Sequence, residues 1–251
     1  MFVVTMEIVI LLILFFIIAL VYSAAGFGGG SSYIAVLLLF GLAINDIRFT
    51  ALLCNIAVVG GSVYNFHKAE LLKWKELTPL IIFSIPMAYL GGRMTANPEI
   101  YFPVTGIALI VISVLMLKSK KQQIEKNQLS YLWMSLIGGS IGFLSGFIGM
   151  GGGVFLAPIL YYFNWGAGIR ISAATSLFIL VNSFFGLAGQ LGNIPQIDMQ
   201  LTSVLLLAVI FGGQIGNRLN IHFLSGNLIK TITGILIGVV GIRILIPYLQ
   251  L

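Results

Sequence analysis

Gly146-Phe147-Ile148-Gly149-Met150-Gly151-Gly152-Gly153 interrupts an otherwise apolar run, which resumes at Val154-Phe155-Leu156-Ala157-Pro158-Ile159-Leu160. A shorter version, Gly26-Phe27-Gly28-Gly29-Gly30-Ser31-Ser32, lies near the start of the chain. Glycine weakens a helix by about 1 kcal/mol per residue relative to alanine, so each cluster reads as a helix break. The surroundings of the breaks decide the fold. The chain has 251 residues, of which 59% are hydrophobic and 8% charged, and a mean hydropathy of +1.09. No water-soluble domain covers that much apolar surface with a polar skin. Stretches long enough to cross a bilayer recur from end to end, without the alternation of a β-barrel strand. The expected fold class is an all-α polytopic membrane protein.

Ten apolar segments are predicted: 4–25, 31–44, 49–66, 78–94 and 101–117, then 131–148, 153–165, 171–190, 200–217 and 226–247. A polar linker with Lys118, Lys120, Lys121, Glu125 and Lys126 divides a first membrane repeat, 1–117, from a second, 131–251, and occupies 118–130. The first segment is not read as a signal peptide, because no Lys or Arg precedes its apolar core.

The halves correspond in order. Gly28-Gly29-Gly30 matches Gly151-Gly152-Gly153. Arg48-Phe49-Thr50-Ala51 matches Arg170-Ile171-Ser172-Ala173, one residue out of that register. Gly91-Gly92-Arg93 matches Gly212-Gly213-Gln214. The lysines cluster in three connections, around Lys68, Lys73 and Lys75, in the linker, and at Lys230 with Arg218. The positive-inside rule places these connections (67–76, 118–130 and 218–230) in the cytoplasm and both termini outside. The loop 191–200, counterpart of 67–76, has no Lys or Arg and falls outside. The two repeats, of about five segments each in a total of eight to ten helices, are therefore expected to be inverted.

The second segment of each half is short. Segment 31–44 makes about 21 Å of helix against a hydrocarbon core of about 30 Å, and 153–165 is no longer. Both suit half-helices entered through the glycine breaks, at the centre of the molecule. A helix start presents free N–H groups and a positive dipole end, which favour an anion. Glycine permits close approach and left-handed turns. Gly28, Gly29, Gly30, Gly151, Gly152 and Gly153 are therefore candidate substrate-binding residues, with the hydroxyls of Ser31, Ser32, Thr175 and Ser176. The competing reading is close helix packing through small residues. Neither cluster has the Gly-Lys-Ser/Thr of a phosphate-binding loop.

Arg48 and Arg170 precede the third segment of each half and are candidate gating or anion-steering residues, since a guanidinium is a donor fork suited to oxyanions. They equally suit interfacial anchoring by snorkelling, and Asp46 is a possible partner for Arg48. Asn55, Asn182, Gln190 and Gln214 are further polar residues within spans, with helix-to-helix bonding as the plainer role. No carboxylate lies mid-span. His67 and His222 show no His-Glu-x-x-His spacing, so no metal site, cofactor or catalytic residue is expected. Single Cys54 reads as a small buried residue. The net charge of +6 is topogenic, with no nucleic-acid partner implied; the bilayer is the expected surroundings.

Phe147 to Leu160, with Pro158, and Arg170-Ile171-Ser172-Ala173-Ala174-Thr175-Ser176-Leu177 resemble the sulfite exporter TauE/SafE family, also called toluene sulfonate uptake permeases. The resemblance covers nearly the whole chain. It implies a prokaryotic-type cell-membrane transporter of a small sulfur-containing anion such as sulfite, sulfoacetate or another organosulfonate, and not an enzyme. Ala35 stands where the second half has Pro158, and Leu52-Leu53-Cys54 where it has Ala-Thr-Ser, so the two half-sites are chemically unequal. The alternatives are an anion channel on the same scaffold and an intramembrane enzyme. The enzyme would need a mid-span nucleophile–base pair that the sequence does not show.

Overall fold

In a computed structural model, residues 6–24, 26–118, 129–193, 198–219 and 226–249 are described. They form ten α-helices and one short 3-10 turn, with no strand among the described residues. The first half holds α1 (Met6–Ala24), α2 (Gly30–Leu39), α3 (Ile44–Lys68), α4 (Trp74–Arg93) and α5 (Pro98–Lys118). The second holds α6 (Tyr131–Ile148), α7 (Gly153–Tyr162), α8 (Gly168–Gln190), α9 (Met199–Leu219) and α10 (Gly226–Leu249). Each apolar segment of the sequence is one helix. Six helical stretches, in α1, α3, α5, α6, α8 and α9, are long and apolar enough to cross a membrane. This is a multi-pass membrane fold. The linker residues Lys120, Lys121, Glu125 and Lys126, and His222, lie outside the described residues.

Small residues set the helix pairs. On α6, Gly138, Gly142 and Gly146 recur every fourth residue and face Leu80, Ser84 and Ala88 of α4 in the same order. The two helices therefore run parallel. A methyl on Gly142 would lie 2.6 Å from the Ser84 carbonyl oxygen, so only glycine allows this approach. Gly212 and Gly216 of α9 meet Phe16 and Leu20 of α1 in the same manner. Beyond these pairs, α3 packs on α9, α4 on α8, α5 on α10, and α3 on α8 at the centre. Exchanging α1–α5 for α6–α10 maps this pattern onto itself. The halves are interleaved: α1, α3 and α9 form one bundle, and α4, α6 and α8 another.

The contacts also give direction. Arg48, at the start of α3, reaches Gly91, Gly92 and Met94 at the end of α4. Arg170, at the start of α8, reaches Glu76 at the start of α4, while Gly189 near the end of α8 meets Tyr89 and Arg93 of α4. So α8 runs with α4, and α3 runs against both. The two arginines sit at opposite ends of α4, which spans about 30 Å. Lys68, Lys73, Lys75, Lys118 and Arg218 all fall at the Glu76 end, with exposed Tyr64, Trp74, Tyr131 and Trp133. Tyr and Trp at such a level are the interfacial belt of a membrane protein. Exposed Ile13, Ile17, Ile107, Val111, Leu136 and Phe211 lie on α1, α5, α6 and α9 and suit lipid contact, while α2 and α7 are mostly buried.

Candidate functional site

The two short helices have the same local construction. Each has 10 residues, about 15 Å of helix. Each begins at a glycine in the left-handed conformation, Gly29 at φ 83 and Gly152 at φ 82. This backbone costs other residues roughly 1–2 kcal/mol. Neither start carries a side-chain cap. The first intrahelical bonds are those of Ser32 N–H and Tyr33 N–H to Gly29 O, and of Phe155 N–H and Leu156 N–H to Gly152 O. The N–H groups of Gly30, Ser31, Gly153 and Val154 precede them and have no carbonyl within their helix.

These two starts meet at mid-bundle. Asn55 lies twelve residues beyond Ala43, the N-cap of α3, and Ile179 twelve beyond Ala167, the N-cap of α8. Both are near the middle of long helices. Asn55 Nδ2 donates to Met150 O at 3.1 Å. A methyl on Gly30 would lie 2.6 Å from Met150 O, and one on Gly151 would lie 2.8 Å from Asn55 Nδ2, 2.7 Å from Ser183 Oγ and 2.9 Å from Ile179. Gly28 meets Asn55 and Ile179, and Gly153 meets Ile179. Residues 26–29 thus cross half the bundle without helical structure, and residues 149–152 do so from the other end. Both positive helix ends point to one place.

Several buried polar atoms around this place have no partner: Ser31 Oγ, Asn55 Oδ1 and Ser183 Oγ, with Ser145 Oγ beside Gly152. An unsatisfied buried group costs about 1–3 kcal/mol, and a run of them marks where a ligand's polar groups would be met. The other predicted hydroxyls are committed to local bonds. Ser32 shares a 2.7 Å hydrogen bond with Tyr22. Thr175 donates back to Ile171 O or Ser172 O, and Ser176 to Ser172 O or Gly26 O. Thr175 and Ser176 therefore shape α8 and pin the first glycine loop, leaving Ser31 as the predicted hydroxyl without a hydrogen bond. Gln190 is buried and Gln214 exposed, both away from the helix starts in chain position. Ser183 was not singled out in the sequence. Its signal, a serine two turns beyond Ser176 on the same helix, is indistinguishable there from a packing residue.

The arginines differ from each other. Arg48 is 2% exposed. Its Nη2 donates to Gly91 O, Gly92 O and Gly146 O at 3.1, 3.1 and 3.2 Å, and Nη1 to Met94 O at 3.1 Å. Its guanidinium carbon lies 5.8 Å from the Phe147 ring centre. These carbonyls belong to the last turns of α4 and α6, or just beyond, where acceptors are orphaned and the dipole is negative. Tyr101 donates to another, Ile148 O, at 3.0 Å. Arg48 is thus a cap on two helix ends rather than a partner of Asp46. Arg170 is more exposed, at 19%, and lies 5.5 Å over Trp165, paired to Glu76 at 3.0 Å. The pair also occupies different helix positions: Arg48 is fifth after its N-cap and Arg170 third.

Residues 11–244 match the model of one family, described as sulfite exporter TauE/SafE. The chain belongs to that family. A relative from Sinorhizobium fredii, named as a probable membrane transporter protein, is 35% identical over 218 residues, covering 85% of this chain and 88% of its own. A second, from Methanocaldococcus jannaschii and named likewise, is 24% identical over 198 residues, covering 74% of this chain and 73% of its own. No solved structure matches significantly. Family and relatives alike indicate a membrane transporter. In this TauE/SafE chain both glycine clusters sit at the crossing of the two broken segments, where each half brings a helix start.

Proposed function

We propose that this TauE/SafE chain is a secondary transporter of small sulfur-containing oxyanions, sulfite or an organosulfonate, held at mid-membrane by the starts of α2 and α7. The observation that carries the reading is the meeting of two uncapped, left-handed glycine helix starts beside the unpartnered Ser31 Oγ, Asn55 Oδ1 and Ser183 Oγ. Irregular backbone at membrane depth is tolerated where it lines a site, and broken helices aimed at an anion are a transporter device. The substrate contacts are the N–H groups from Gly28 to Ser31 and from Gly151 to Val154, with the Ser31 hydroxyl. Arg170, partly exposed and held by Glu76, is the anion-steering residue; Arg48 is occupied by the ends of α4 and α6.

The repeats are inverted about an axis in the membrane plane, a reading supported by the matched helix pairs and the opposed directions of α3 and α8. The Glu76 end, which gathers the lysines, faces the cytoplasm. Alternating access comes from the α1–α3–α9 bundle rocking against α4–α6–α8, since glycine packing ties each bundle together across the repeats. Purified protein in proteoliposomes should carry saturable, gradient-driven flux of sulfite or sulfoacetate. No flux of either, or of thiosulfate, would sink the substrate class, and unitary single-channel currents would replace the transporter with a pore.

A further inference from the structure

We infer that Asn55 makes the central site selective for an oxyanion that still carries one O–H group, through the unpartnered Oδ1 of its side chain. The inference rests on the transport reading above and names what that site discriminates.

Asn55 is wholly buried on α3. Its Nδ2 donates to Met150 O at 3.1 Å, which fixes the amide: the carbonyl already accepts, so the atom facing it is the nitrogen. Oδ1 is the atom left over, and no donor reaches it. It faces the glycine loop that opens α2: a methyl on Gly28 would press against it, and one on Gly30 would lie 2.9 Å away. Met150 O, the other acceptor here, is taken by Asn55 Nδ2; the remaining groups are donors or hydroxyls: the N–H groups of Gly30, Ser31, Gly153 and Val154, and the hydroxyls of Ser31 and Ser183.

A donor set of that kind suits any anion. An acceptor among the donors does not. Oδ1 repels the oxygens of a fully ionised ligand and stays unsatisfied against them, whereas a ligand O–H satisfies it. A site built to bond a ligand hydroxyl rejects an analogue that lacks it more strongly than an apolar pocket rejects one that carries it. The acceptor is also one-sided. Ile179 holds the equivalent place on α8, so the two halves supply similar helix starts but a single Oδ1. The ligand class is a singly charged oxyanion with one proton, hydrogen sulfite being the sulfur species of that form. Methanesulfonate has the same single charge, spread over three sulfur-bound oxygens, with a methyl on sulfur and no O–H. The sulfite dianion also lacks an O–H and carries twice the charge.

The test uses the full-length protein in proteoliposomes, with sulfite and methanesulfonate as competing probes across the pH range in which hydrogen sulfite loses its proton. The apparent affinity for total sulfite should fall about tenfold per pH unit once the dianion dominates, while methanesulfonate competes weakly and with no such slope. Asn55→Leu should reduce the preference for hydrogen sulfite over methanesulfonate by about tenfold, read as the ratio of the two apparent affinities in the same protein. Affinity for total sulfite that holds or rises as the dianion accumulates overturns the inference, as does an Asn55→Leu protein that keeps its preference. If that variant fails to fold, the wild-type pH series decides alone. Absence of flux and competition by both anions sinks the transport reading itself, a result distinct from flux without selectivity.

Discussion

Two residue types with similar prior readings take different parts. An arginine near a helix start in a membrane chain suits an anion, a gate or the interface equally well. Arg48 is instead enclosed by four carbonyl oxygens from α4, α6 and the α4 cap. Arg48→Met should lower stability in detergent by about 3 kcal/mol, because those acceptors lose their charged donor, and Arg48→Lys should restore only part of it, since one ammonium cannot span the same fan of oxygens. Thermal unfolding of the purified variants measures both. Gly152 sits at φ 82, with the Phe178 ring 2.8 Å from where a Cβ would be. Gly152→Val should abolish transport. Full activity at normal expression would leave the cluster with a packing role alone. The Arg170–Glu76 pair is partly exposed, so Glu76→Gln should change stability by less than about 1 kcal/mol, while shifting the KM for anion entering from the Glu76 end.

At the scale of elements, the helices follow from local chemistry. Apolar runs make the spans, and glycine clusters at the starts of α2 and α7 stop and restart them. The every-fourth glycine stripe on α6 belongs to the packing of α4 against α6. Gly146 is the instructive residue: in sequence it opens the hallmark cluster, but in space it is the last member of that stripe, with its carbonyl bonded to Arg48. Gly142→Leu should therefore separate α4 from α6 and cost about 3 kcal/mol or more, a loss seen as reduced yield of folded protein, since overpacking cannot relax against a backbone carbonyl 2.6 Å away. Gly139, at ordinary distance from Met87, should tolerate alanine with wild-type yield.

Across the whole molecule, the proposed moving bodies are not the sequence halves. The tight helix pairs join α4 to α6 and α1 to α9, one helix from each half. Cross-links test this in a Cys54→Ser background. Gly139→Cys with Met87→Cys links α6 to α4 within one bundle and should leave flux intact. Leu52→Cys with Gly186→Cys links α3 to α8 between bundles and should stop it. Flux lost with the first pair and kept with the second would overturn the proposed moving bodies. Lys73 and Lys75 should react with an impermeant amine reagent only from the cytoplasmic side.

The sequence by itself determined the class, the ten helices and the places of the breaks. Hydropathy and backbone conformational preference act over a few residues and leave their mark in the order of amino acids. It also named Ser31, Asn55 and the glycines that meet. Tertiary structure decided which of the marked residues are free. Ser32, Thr175 and Ser176 look as available as Ser31 along the chain, yet their hydroxyls are bonded to Tyr22 and to carbonyls of α8 and the first glycine loop. Ser183 looks ordinary along the chain and is unpartnered at the crossing. Hydrogen-bond satisfaction depends on atoms brought together from distant segments, and no local pattern records it. For the glycine clusters, the sequence marked the helix breaks, and only folding showed that the two breaks face each other across Asn55.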